Sequence, residues 1–160
     1  MLDLGGTVYG RTPQEDRNVF VSNLGDKFAS IICYESIYGS FVRKFSLNGA
    51  EFFTIISNDA WWGETEGHRQ LLSYSKLRAV ENRKSIARVA NTGISGFISS
   101  NGNVYSKTKY NTKGILKNNL YLNNKITFYV KYGDYISRIS NLMLLILLTI
   151  VLSKIVKKII

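Results

Sequence analysis

At 160 residues and 18.1 kDa the chain has the length of one ordinary domain, and 45% apolar and 20% charged residues with a single proline exclude disorder, a collagen repeat and a mucin-like stalk. One cysteine, Cys33, excludes an internal disulfide and a thiolate-rich zinc site, so no metal is expected. The formal charge of +10 would suit an anionic partner, but residues 1–100 are balanced at 11 positive and 10 negative, while residues 101–160 hold the excess at 10 and 1.

Residues 1–27 are polar, with Gly5-Gly6, Thr12-Pro13 and Asn23-Leu24-Gly25-Asp26 as breakers, and read as loop and edge structure; they have neither the basic flank nor the apolar stretch of a cleavable signal peptide. The continuous apolar run Phe28 to Tyr34 predicts a strand buried on both faces. Ile37, Phe41 and Phe45 recur every four residues and predict a helix over Ser36 to Leu47, stopped by Asn48-Gly49. Phe52 to Ser57 reads as a second buried strand, and His68 to Lys84, rich in Leu, Ala, Arg, Lys and Glu, as a long helix. Strands over Ser85 to Ala90 and Gly93 to Ser100 follow, then a turn at Asn101-Gly102 and a last strand in VYSKTKY. The order strand, helix, strand, helix, strand, strand, strand is α/β with a layered sheet, and the crossover helices predict parallel first strands.

The excess charge lies in isolated lysines, Lys107, Lys109, Lys113, Lys117, Lys125 and Lys131. Without arginine forks or a reading element no nucleic acid is expected; a solvated surface, or contact with anionic lipid head groups, is the reading. Leu142 to Leu152 carries no charge and, at about 1.5 Å per residue, covers roughly 16 Å; extended over 139–160 it reaches roughly 33 Å, if Lys154, Lys157 and Lys158 snorkel. A run apolar on every side has little to bury itself in at the end of a small domain, so a transmembrane helix is expected over 139–160 rather than a core helix. Basic residues before and after it tie under the positive-inside rule.

Cys33 falls at the carboxyl end of the first buried strand, where open α/β sheets place reactive groups and where a helix N-terminus favours thiolate. It is either an inert core thiol or a nucleophile. Glu35 adds a carboxylate to the same turn, and Tyr34 a backbone N–H for a developing oxyanion. The second strand ends in Ser57-Asn58-Asp59-Ala60-Trp61-Trp62-Gly63-Glu64, so two strands deliver polar and aromatic loops to one edge. The tryptophans line an apolar pocket or pack in the core. His68 is a dyad partner for Cys33 or, as is commoner, a cap or surface residue; Glu64 and Glu66 read as solvated.

IICYES at 31–36, SNDAWWG at 57–63, LRAVENRKSIARVANTGISG at 77–96 and TFYVKYGDYISRIS at 127–140 together resemble the nitrilase-like domain and last span of the bacterial apolipoprotein N-acyltransferases. The resemblance implies a partial nitrilase-like α-β-β-α sandwich over 1–138, with an uncovered sheet face, followed by a transmembrane helix over 139–160. It implies ping-pong acyl transfer without a cofactor, from a membrane phospholipid through a Cys33 thioester to the N-terminal amine of a diacylglyceryl-cysteine apolipoprotein. Glu35 then matches the family's second essential carboxylate, Tyr34 the oxyanion-binding backbone, and Trp61 the substrate entrance. Trp62 and Asn58 stand beside them, with Asn58 and Asp59 shaping the loop. The expected location is the bacterial inner membrane, with the catalytic domain facing the periplasm. The family's Glu–Lys–Cys triad places its Glu base and Lys well upstream of the cysteine, whereas 32 residues precede Cys33 and Lys27 is too close. The sequence therefore reads as the C-terminal third of such an enzyme, and the 160 residues alone are expected to lack appreciable activity. A nitrilase-type amidase with a simple anchor, and a non-catalytic membrane-bound remnant, are the alternatives.

Overall fold

The computed structural model describes residues 16–159; the expectations for residues 1–15 lie outside them. Among the described residues six strands form one sheet in chain order: β1 (Phe20–Val21), β2 (Lys27–Ile32), β3 (Phe52–Ser57), β4 (Ser85–Ala90), β5 (Gly96–Ile98) and β6 (Val104–Lys107). β2, β3 and β4 are parallel, as the crossover helices α1 (Gly39–Leu47) and α2 (Glu66–Asn82) require, and the other pairings are antiparallel. Register aligns Ile31 with Ile55 and Phe53 with Ile86. These side chains share one face with Ala29 and Ile98, and there Val42 and Phe45 of α1 and Ala79 of α2 close the core.

Two expected boundaries shift for one reason. Cys33 has φ of +50°, a left-handed conformation that cannot continue a strand, so β2 ends at Ile32 and not at Tyr34. Residues Cys33–Ile37 then wind into a 3-10 turn, and α1 begins at Gly39 and not at Ser36. The strand expected over 93–100 shortens to Gly96–Ile98, because Ser95 turns back to bond both backbone groups of Ala90.

The opposite face of the sheet is open among the described residues. Phe20, Phe28 and Phe52 stack across three strands at 5.4 and 5.3 Å, Ile32, Ile56 and Val89 are exposed, and an apolar hollow of about 480 Å³ is lined by Phe28, Ile56 and Val89 among others. This is one half of a layered sandwich, with helices on one side only.

After β6 the chain runs without regular structure to α3 (Phe128–Tyr132) and is pinned by the α2–β4 junction. Fully buried Lys84 donates to the carbonyls of Asn123 and Lys125, and Asn123 donates to Arg83 O at 2.7 Å. Burial pushes the Lys84 ammonium below its usual pKa, opposed by the Glu51 carboxylate. α3 docks through Arg43, which donates to Val130 O at 2.7 Å, and Thr127, which donates to Glu81 O at 2.6 Å. Helix α4 (Tyr135–Ile159) leaves the domain exposed along residues 135–157. Its 23-residue stretch Tyr135–Lys157, roughly 35 Å at the α-helical rise, is long and apolar enough to cross a bilayer core.

Candidate active site

Two 3-10 turns leave the carboxyl ends of adjacent parallel strands, the position at which open α/β sheets bind ligands. The first carries Cys33, Tyr34 and Glu35; the second, Asp59–Trp62, follows β3. Cys33 is half-buried, and its left-handed backbone is a conformation that costs non-glycine residues about 1–3 kcal/mol. Two bonds hold the turn in that shape. The Ile32 N–H donates to Glu35 Oε2 at 2.8 Å, and Ser36 Oγ donates to Cys33 O at 2.8 Å. Glu35 thus keeps one carboxylate oxygen on the backbone just before the thiol. Tyr34 is the second residue of the turn, where a helical N–H has no partner within its own helix. Because α1 starts only at Gly39, the thiol stands at the head of a short 3-10 turn and not at an α-helix N-terminus, which corrects the expected source of thiolate stabilisation.

The second turn divides into a root and a rim. Asn58 accepts the Ala60 N–H at 3.2 Å, so its carboxamide oxygen caps the turn. Asp59 points inward, is fully buried, and accepts from Arg88 at 2.6 Å and from Ser57 Oγ at 2.5 Å. Ser57 Oγ in turn lies 3.6 Å from Cys33 Sγ. A Cβ on Gly93 would overlap the Asp59 carboxylate, so the glycine of the ANTGISG block makes the room in which this pair sits. Trp61 and Trp62 face outward at 79% and 41% exposure, so neither is core packing. Trp62 leans on the first turn of α2, where a Cβ on Gly67 would come within 2.7 Å of its ring. Between the turns and α2 lies a small cavity of about 110 Å³, lined by Tyr34, Trp62, Gln70 and Tyr74 among others.

The structure therefore brings together Cys33, Glu35, Tyr34, Asn58, Trp61 and Trp62 at one sheet edge. His68 is not among them, nor is it the cap or surface residue expected: Thr65 caps α2, while the imidazole is buried and packs at a tilt against Tyr110 with centroids 4.4 Å apart. Glu66 is solvated as expected, paired with exposed Arg69 at 2.5 Å. Sequence reasoning missed Ser57 and Arg88. Both lie inside the quoted motifs, but a serine at a strand end and an arginine within a strand signal nothing until the strands are paired. In the RAVEN block, Arg78 donates to Ile37 O at 3.4 Å and pairs with Glu81 at 3.2 Å, bracing the Cys33 turn from α2. Burial raises the Glu81 carboxyl, with Arg78 opposing. Among the described residues no cluster of His, Cys, Asp and Glu could hold a metal ion.

The carbon-nitrogen hydrolase family model matches residues 5–124, and the chain belongs to that family. Within it, the chain is 37% identical over 113 residues to an apolipoprotein N-acyltransferase of Chlorobaculum tepidum, covering 71% of this chain and 21% of that protein. It is 39% identical over 92 residues to the apolipoprotein N-acyltransferase of Aquifex aeolicus, covering 58% and 20%. The chain thus spans about a fifth of the length of the curated relatives it matches. A carbon-nitrogen hydrolase from Helicobacter pylori G27 superposes with a TM-score of 0.55 at 12% identity, over 66% of this chain and 43% of that one, and shares the fold.

Proposed function

We propose that this chain carries the nucleophile end of a phospholipid:apolipoprotein N-acyltransferase site. The observation that carries the reading is the turn itself: one cysteine in a strained backbone at the edge of the parallel strands, with Glu35 beside it and an exposed aromatic rim above it. The sulfur of Cys33 attacks the carbonyl carbon of a phospholipid ester; the C–O bond breaks, the lysophospholipid alcohol takes a proton, and a thioester remains. The free α-amino group of a diacylglyceryl-cysteine then attacks that carbonyl, the C–S bond breaks, and the amide forms as the amine proton is removed. Both steps pass through an oxyanion within reach of the Tyr34 N–H, and Glu35 orders the turn that presents it. Trp61, Trp62 and Asn58 border the approach of the acyl chain. Cys33 works with the Glu base and the Lys that the family resemblance implies.

Helix α4 is the membrane anchor in this proposal, with the sheet domain on the periplasmic side of a bacterial inner membrane. An exposed apolar helix in the same chain as an exposed aromatic rim supports a lipid substrate over the small amide of a soluble amidase. The test replaces the matching segment of the Chlorobaculum tepidum enzyme with this one and follows Cys33 by intact mass after exposure to phosphatidylethanolamine vesicles. An acyl adduct that is discharged by a diacylglyceryl-cysteine peptide and absent in Cys33→Ser is the expected result. A folded, membrane-inserted graft that stays unacylated while wild type acylates would overturn the reading.

A further inference from the structure

Ser57, Asp59 and Arg88 are a connected, buried chain that ends on the sulfur of Cys33, and a count of protons decides what it does. Ser57 has one hydroxyl proton and two candidate acceptors, the Asp59 carboxylate at 2.5 Å and the Cys33 sulfur at 3.6 Å. The carboxylate is charged, nearer and fully buried, and a short bond to an ionised acceptor is about twice as strong as a neutral one. Arg88, itself buried and 2.6 Å from the other carboxylate oxygen, pairs with Asp59 and fixes its direction. The hydroxyl proton therefore belongs to Asp59, and the Ser57 oxygen turns its lone pairs toward Cys33.

We propose that Ser57 is a positioning residue for the nucleophile: it accepts a hydrogen bond from the Cys33 S–H, and the Asp59–Arg88 ion pair holds it in that role. The sulfur then rests as a thiol, aimed by a bond to the neighbouring strand. Its proton must be taken by a base as the sulfur attacks, and the fixed direction of Ser57 keeps that proton in one place beforehand. The positive φ of Cys33 fits the same end, since it swings the side chain out of β2 toward the end of β3. Gly93 completes the device by leaving room for Asp59, so three motif blocks that are distant in sequence meet on one proton. The functional consequence rests on Cys33 being the acyl-accepting nucleophile; the hydrogen bond does not.

The single cysteine makes the test direct, because the Raman S–H stretching band of the whole chain in detergent micelles reports Cys33 alone. The expected result is a band at neutral pH displaced to lower wavenumber than in the same chain unfolded in denaturant, returning toward the unfolded position in Ser57→Ala and staying displaced in Ser57→Thr. A band in the folded wild type at the position of the unfolded chain would overturn the proposal. So would the absence of the band, since Ser57 would then be donating to a thiolate. Both comparisons use wild type only and stand even where Ser57→Ala does not fold. A displaced band together with an unacylated Cys33 in the graft would leave the hydrogen bond established and the acyl-transfer reading refuted, so the two failures are separate.

Discussion

The two faces of the one sheet, built from alternate residues of the same strands, have opposite fates. Ile31 and Ile55 are completely buried under α1 and α2, while their neighbours Ile32 and Ile56, one peptide along, are more than half exposed. β4 repeats the contrast with a twist of polarity: buried Arg88 lies on the helix side and exposed Val89 on the open side. Apolar character alone therefore does not say what a strand residue contributes. Pleating assigns each side chain to a face, and only the presence of a covering layer turns that assignment into stability.

Mutations across this contrast should separate the faces. The largest loss is expected for Arg88→Ala, which leaves the Asp59 carboxylate buried without its partner; breaking such a pair costs about 3–5 kcal/mol. Denaturant titration of the detergent-solubilised chain measures it, and a change below about 1 kcal/mol would mean that Asp59 finds another partner or gains water. Next comes Ile55→Ala, a cavity beneath both helices, expected to cost about 2–5 kcal/mol in the same titration.

Lys84→Met sharpens the edge of the covered side. The folded chain gives up the Lys84 proton at a lower pH than the unfolded chain, which holds it to about the ordinary lysine value of 10.5. Below that value, and above the folded one, the unfolded state binds more protons, so this residue makes stability rise with pH. A neutral amine still has two N–H donors for the two carbonyls it serves. The stability difference between wild type and Lys84→Met should therefore grow in favour of wild type as pH climbs toward 10.5. Tyr105 and Tyr129, whose phenols are raised by burial, work in the opposite direction but are common to both proteins and cancel. The smallest effect is expected for Ile56→Ala on the open face, within about 0.5 kcal/mol; a cost matching that of Ile55→Ala would show that this face is covered in solution.

Much of the fold was legible in the sequence. The apolar run Phe28–Tyr34, the run Phe52–Ser57 and the stretch Ser85–Ala90 mark strands that are central in the sheet, and the intervening helices dictate their parallel order. The Asn101-Gly102 turn is where expected, with Gly102 at positive φ. Less legible was the passage from β2 to α1, because Cys33 leaves the extended region without any glycine or proline to announce it. His68 was misread for a similar reason: its position near a helix start is local, whereas its burial against Tyr110 comes from a segment 42 residues away. The candidate site was half legible. Cys33, Glu35 and the tryptophans are conspicuous as residue types. Ser57 and Arg88 are ordinary residues that matter through their pairing across strands.

By itself the sequence determined the α/β order, a cysteine at a strand end, an aromatic loop beside it and a terminal apolar helix, since each of these is written in local pattern and composition. Tertiary structure decided which of two adjacent isoleucines is core, that the thiol faces an oxygen of the next strand and not a helix N-terminus, and that Asp59 pairs with Arg88. Those outcomes depend on distances between segments 24 to 29 residues apart, and such distances exist only once the strands are in register.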